Sequence, residues 1–468
     1  MFDGCGADGR IKRIEMNSKA KILATYIMCI GIALLCGTAG AAETKQERTV
    51  HHSADFGWKV NQDVTEQFTI LLQDGTLKAG EELVLDHIYR INIMSKNGRI
   101  LPANFTLSAV KGAGFAVYGF SQDTNAPVPV LELGDRNTLR NLTITCEGVP
   151  SKIVAPKRKA MFFEGTVITA SGKDDILIEN CRLSGLISHN IMMKNCRRLK
   201  VISSHIVGGY WSVYLASVTE ALFWRCLFEK STCDGIKTGN ADGKACRNFV
   251  VENCVFQDNT GGDGIDTTGG LDDSVVRNTI FRRLGVSGMD IKSSYGGKKE
   301  NIEDQEPENN NIFIENCTFH DMPNGIVLTT AAEKLTVANV KKYTVHDIDI
   351  NDCLFGHAEK PLRAKNDGGY GVNYPTEKGE HMRAIFLKDA YAIRYRNMRL
   401  SGERIMPVYV QCVAATDWGK RLGEEAKDAV HALHQMKETD IITGNTLDKQ
   451  APPIKPGATY IPFSCGPR

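Results

Sequence analysis

FVVENCVFQDN, residues 249–259, is a run of β-branched, aromatic and polar residues broken by an Asn-Cys pair. Related runs stand at LRNLTITCEGV (139–149), ILIENCRLSG (176–185), KVISSHIVGG (200–209), FWRCLFEKS (223–231), VVRNTIFRRLG (275–285), IFIENCTFHDM (312–322), IDINDCLFGHA (348–358) and IRYRNMRLSGE (393–403). Alternation of such residue types with period 2 is the mark of a short strand. The equivalent positions Cys181, His205, Cys226, Cys254 and Thr279 are 24, 21, 28 and 25 residues apart. Strands repeated at that period mean a β-solenoid, in which each turn buries its inward face on its neighbours. The cysteines then read as small buried apolar residues in a stack, and each asparagine as a hydrogen-bond partner for the asparagine of the next turn. Cys233 with Cys246 is the one candidate disulfide.

Around this repeat the chain has 468 residues, with 56 basic residues against 55 acidic ones. No run of lysine and arginine marks a phosphate-binding surface, so nucleic acid is not an expected partner. MNSKAKILATYIMCIGIALLCGTAGAA, residues 16–42, has a lysine-bearing start, an apolar middle and a small-residue end, which reads as a secretory signal. Residues 1–42 are therefore expected to be an extension plus signal peptide, with Met16 a second candidate start. The mature protein is expected to be secreted or periplasmic, monomeric and without a membrane span. Residues 43–415 form the expected solenoid domain. VTEQFTILLQDGTLKAGEELVLDHIYRI, residues 64–91, reads as an amphipathic helix, a glycine turn and a first strand. DWGKRLGEEAKDAVHALHQMKE, residues 417–438, predicts a C-terminal helix, which with its tail occupies 416–468 and packs on the solenoid.

A second strand of each turn aligns without gaps: HNIMMK, WSVYLA, DGIKTG, DGIDTT, SGMDIK and NGIVLT, starting at residues 189, 211, 234, 263, 287 and 324. With the apolar third residue inward, the fourth points outward. Lys237, Asp266 and Asp290 then stack on an exterior face, flanked by Lys292, with Asp234 and Asp263 opening successive turns. Glycines 235, 264 and 288 are expected to clear the approach. Like charges stacked in a sheet repel, so lysines or a bound cation must offset them. The plain alternative is a solvated charge ladder of little energetic weight. His189 and His205 read as structural.

The repeat and its helical start resemble the right-handed parallel β-helix proteins of the pectate-lyase superfamily over roughly residues 60–412. That implies an all-β, right-handed parallel β-helix with an N-terminal capping helix. DGIKTGN followed one turn later by DGIDTTG resembles family 9 polysaccharide lyases, which use calcium and a lysine base. By that resemblance Lys237 matches the base, although Trp211 and Tyr214 stand where that family places its aspartate cluster. Alternatively GGDGID (261–266) stands for the cluster and Lys292 for the base. IENCTFHDMPNGI (314–326) is similar to a turn of the family 28 glycoside hydrolases, the polygalacturonases, and CDGIKTG to their Asn-Thr-Asp-Gly segment. That family's paired aspartates are here Gly262 and Asp263, its Gly-His-Gly histidine is Ser287, and its Arg-Ile-Lys turn is Ile326-Val327-Leu328.

Three functions follow as expectations. The first is a lyase that cleaves an acidic, uronic-acid polysaccharide by β-elimination. Asp263, Asp266 and Asp290 would hold Ca²⁺ against the substrate carboxylate, with Asp266 and either Lys237 or Lys292 catalytic. Neighbouring aspartates keep a proton on a lysine, so a cation that cancels them is a requirement of this chemistry. Trp211, Tyr214, Asp234 and the loop residue Lys298 are the candidate substrate contacts. The second is hydrolysis by paired aspartates, whose carboxyl groups must stand about 5–9.5 Å apart. The third is a non-catalytic glycan-binding solenoid, because fold alone never establishes activity.

Overall fold

The computed structural model describes residues 48–411 apart from 95–97, 120–128, 148–164, 186–187, 240, 242–243, 260, 294–308, 331–344, 357–381, 389 and 402–404. The signal segment, the helix expected after Thr416, and Lys298 lie outside these residues. Three wholly parallel sheets of 12, 11 and 10 strands run through the described part. One turn shows how they are built. Asp174–Glu179 lies in the first sheet, Arg182–Ser184 in the second and His189–Lys194 in the third, before Arg197–Ile202 returns to the first. No helix among the described residues is long and apolar enough to cross a membrane.

The Asn-Cys pair makes the corner between the first two sheets, so each sequence copy is two strands rather than one. Asn180, Asn253, Asn278 and Asn316 have φ of 51°, 55°, 52° and 49°, a left-handed conformation that asparagine tolerates better than most residues. Their side chains pair between turns, Asn180 Nδ2 donating to Asn141 Oδ1 and Asn316 Nδ2 to Asn278 Oδ1, both at 2.8 Å. Cys181, Cys254 and Cys317 beside them, and Cys226 and Cys353 after the equivalent corner residues Arg225 and Asp352, are buried and free. Cys233 and Cys246 are free as well, which corrects the candidate disulfide.

Inside the solenoid the strand alternation produces columns. Phe228, Phe256, Phe281, Phe319 and Phe355 stack through five successive turns at centroid distances of 4.5, 5.0, 4.9 and 5.0 Å, with interplanar angles of 2–9°. The glycines expected to open the outer approach serve this stack instead. A Cβ at Gly235, Gly264 or Gly288 would lie 2.7, 2.6 or 2.4 Å from the ring of Phe256, Phe281 or Phe319. Each also faces a backbone carbonyl of the next turn, at 2.6–2.7 Å. Overpacking of this kind typically costs 1–3 kcal/mol. Gly264→Ala is therefore expected to lower the unfolding free energy by about 1–3 kcal/mol, and a denaturant titration that shows no change would refute the assignment.

At the N-terminal end, helix Thr65–Gln73 closes the core as the sequence implied. Asp63 Oδ1 accepts the Thr65 amide at 3.0 Å, and buried Phe68 meets Phe115 and Trp58 with centroids 5.7 and 5.8 Å away. Among the described residues one strand precedes this helix. Val50–His52 pairs with Glu82–Leu85, and its residues, half-exposed to exposed, lack a clear period-2 signal.

Candidate metal and catalytic site

The third sheet carries the ladder in the expected register. Met192, Tyr214, Lys237, Asp266, Asp290 and Val327 face one another turn by turn. A second column lies three residues earlier in each turn. It runs His189, Trp211, Asp234, Asp263, Ser287, Asn324 and Arg383, paired at its two ends and aligned in the middle by the amides of Ser212, Gly235 and Gly264 donating to the carbonyls of Asp234, Asp263 and Ser287. The two columns together form a strip along the solenoid axis, with aromatic residues at its N-terminal end and acids in the middle.

This acidic section is buried rather than exposed. Asp234, Asp263, Asp266, Asp290 and Lys237 are each at most 8% exposed. Turns about 4.8 Å apart bring two adjoining columns so close that their side chains cover one another. The reading as a solvated charge ladder fails for the same reason, since ion pairs out of water carry large opposing energies.

Lys237 Nζ bonds Asp266 Oδ2, lies 3.9 Å from Asp234 Oδ2 and sits over the Trp211 ring at 5.6 Å. Lys292 Nζ is 2.9 Å from Asp266 Oδ1 and 2.8 Å from Asp290 Oδ2. Asp234 Oδ1 accepts the Asp263 amide at 3.0 Å, and Asp263 Oδ1 accepts the Ser287 hydroxyl. One carboxylate oxygen from each of Asp234, Asp263 and Asp266 lies within 4.8 Å of the others. An all-oxygen, anionic donor set of this kind suits a hard divalent cation. Asp234 belongs to this trio although its sequence suggested a substrate contact, while Asp290, expected among the metal ligands, holds Lys292. Gly262 makes room for the trio, because a Cβ there would lie 2.4 Å from Asp234 Oδ1.

Four carboxylates against two ammoniums leave two negative charges in a buried site. Burial, then the charge of Asp266, pushes Asp234 up to about 6. Burial and the charges of Asp290, Asp234 and Asp266 hold Asp263 well above the usual carboxylate range. Burial also raises Asp290, against the pull of Lys292. Burial alone would raise Asp266 too, but Lys237 and Lys292 outweigh it and hold its carboxyl low. Asp266 is thus the firm anion, and two protons or one divalent cation complete the balance.

A stability profile follows from these directions. Between the ordinary carboxylate range near pH 4 and about 6, folded Asp234 binds more proton than the unfolded chain does. Stability of the metal-free protein is therefore expected to fall as pH rises through that window. Added Ca²⁺ is expected to raise the melting temperature at pH 7 to 8 and to have little effect near pH 5, where protons compete for the same oxygens. Equal Ca²⁺ shifts at both pH values would speak against binding at these acids.

Among the other sequence candidates, Trp211 and Tyr214 stack on each other at 5.3 Å and 24° beside the acids. His205 is tied into a surface network with Glu229, at 2.9 Å, and Arg182, consistent with a structural role. Sequence reasoning did not join these residues into one column because they stand at or just before the start of each third-sheet strand, where period-2 alternation gives little direction. The recurring spacing of three in Trp211/Tyr214, Asp234/Lys237, Asp263/Asp266 and Ser287/Asp290 is the signal that would have found it.

No family model matches this sequence, and no curated protein matches it either. Solved structures do. The polygalacturonase from Erwinia carotovora ssp. carotovora superposes with a TM-score of 0.50 at 11% identity, over 75% of this chain and 96% of that one. This chain is a right-handed parallel β-helix. The alginate lyase from Paenibacillus sp. str. FPU-7 gives 0.35 at 11% identity over 75% and 98% of the two chains. The Streptococcus pneumoniae surface adhesin PfbA gives 0.45 at 12% identity over 78% and 100%. At 11% identity the superposition on the polygalacturonase shows the fold alone, and the chemistry is left to the site.

Proposed function

We propose that this protein is an exported polysaccharide lyase that cleaves a uronic-acid polymer by β-elimination, with Asp234, Asp263 and Asp266 holding Ca²⁺ and Lys292 acting as the base. The carrying observation is the placement of three mutually close, buried carboxylates beside a lysine that already touches one of them at 2.9 Å. Bound there, the cation would neutralise the substrate carboxylate and make the neighbouring C5 proton acidic. With the cation cancelling the acids, Lys292 would first give up its ammonium proton to solvent. As the free amine it takes the C5 proton, the C4–O bond breaks, a double bond forms between C4 and C5, and the leaving oxygen gains a proton. Lys292 suits this role better than Lys237, because its side chain is 19% exposed against 10%. Lys237 is committed to Asp266 and the Trp211 face, where it keeps the acids compact.

Hydrolysis is less well supported. One oxygen of each carboxylate in the trio lies within 4.8 Å of the others, an arrangement gathered to share one cation rather than held about 5–9.5 Å apart as an acid and base pair is. The test is incubation of the purified protein with a panel of uronic-acid polymers, with and without chelator, while the ultraviolet absorbance of unsaturated products is followed. A rise abolished by chelator and restored by Ca²⁺ is expected. New reducing ends without that absorbance would mean hydrolysis, and would remove the lysine-base assignment.

A further inference from the structure

One buried polar side chain in the strip has no task in this chemistry. His189 is 4% exposed, and neither Nδ1 nor Nε2 has a hydrogen-bond partner among the described residues. Leaving an imidazole unsatisfied in a buried place costs folding free energy, which an apolar side chain of similar size would avoid. Its surroundings point to a ligand. The ring lies 5.6 Å from both Trp211 and Tyr214, centroid to centroid, and these two half-buried aromatics stack on each other. In register order His189 and Trp211 immediately precede Asp234 on the strip.

Burial pushes the His189 imidazole down to about 4, with Lys194 adding to the effect. At neutral pH the ring is uncharged, and it offers one donor and one acceptor. A carboxylate only accepts, so it could use the ring's donor and would leave the acceptor nitrogen unsatisfied. A hydroxyl can donate to one ring nitrogen or accept from the other, and the apolar face of a sugar ring packs well on aromatic side chains.

We infer that His189, Trp211 and Tyr214 form a subsite for an uncharged, hydroxyl-bearing sugar next to the acid cluster, so that the preferred polymer joins neutral sugars to uronic acids. Only the uronic-acid half of this inference rests on the lyase reading.

The test is calorimetric titration of the full chain, with Ca²⁺ present, using two oligosaccharides of equal length. One alternates uronic acid with a neutral sugar, and the other is uronic acid throughout. The wild type is expected to bind the alternating one about tenfold more tightly, the scale of one net hydrogen bond. His189→Leu should lose that preference and melt at a higher temperature than the wild type, while His189→Gln, which keeps a donor and an acceptor, should retain part of the preference. Equal binding of both oligosaccharides by the wild type overturns the inference. So does a His189→Leu chain that keeps the preference or melts lower. Elimination is followed separately, so a preference without unsaturated product would keep the subsite and remove the lyase assignment.

Discussion

Replacing Lys292 with alanine is expected to lower the turnover of elimination by about 10²–10⁴-fold, the usual contribution of a positioned general base. Lys292 Nζ lies between Asp266 and Asp290 at 2.9 and 2.8 Å, so its removal leaves the donor trio of Asp234, Asp263 and Asp266 in place. Ca²⁺ should still raise the melting temperature of the variant, and by more than in the wild type, since one competing positive charge is gone. That pairing of lost turnover with kept metal response separates a base from a residue that merely holds the site together. Lys237→Ala is expected to behave in the opposite sense, losing more stability and less turnover. Should Lys292→Ala keep more than roughly a tenth of the wild-type rate, another group takes the proton.

Asp266→Ala is expected to destabilise the fold by about 3–5 kcal/mol, as breaking one side of a buried ion pair commonly does. Asp266 is the shared partner of both lysines, and its carboxyl is the one held low. Without it Lys237 keeps Asp234 at 3.9 Å and the Trp211 face, and Lys292 keeps Asp290. The midpoint of a urea titration at unchanged slope measures the effect, and the Ca²⁺ response should vanish with it. Adding Lys237→Met to the same chain should recover part of the loss, because the unpaired ammonium is then gone. A cost below about 1 kcal/mol for Asp266→Ala would place these pairs in solvent after all.

Much of this was legible in the sequence, and the rest was hidden for identifiable reasons. The Asn-Cys pair gave the solenoid away because its left-handed corner recurs in turn after turn, and corners are where side-chain choice is narrowest. The ladder of Lys237, Asp266 and Asp290 was readable because the third-sheet strands align without gaps and strand alternation does the rest. The role of Asp234 was not, since it stands at a corner where alternation gives no direction. The glycines were assigned to the wrong face. A missing side chain leaves no polarity to read, and only the Phe256 and Phe281 rings show which way the space is filled. Burial of the acids was invisible too, as it arises from two columns closing together rather than from either one alone.

The phenylalanine stack has a consequence for how such a protein changes over time. Its rings stay within 9° of parallel, although successive rings are 25 to 38 residues apart in the chain. The stack acts as a phase reference: loops may lengthen or shorten, but each turn returns to the same angular position before the next begins. Whole turns are therefore exchangeable cassettes, whereas a single residue gained inside a strand would throw the outward groups after it in that strand off by one face. A turn inserted between those of Trp211 and Asp234 would lengthen the sugar-binding strip by one step and leave the acids in phase with one another.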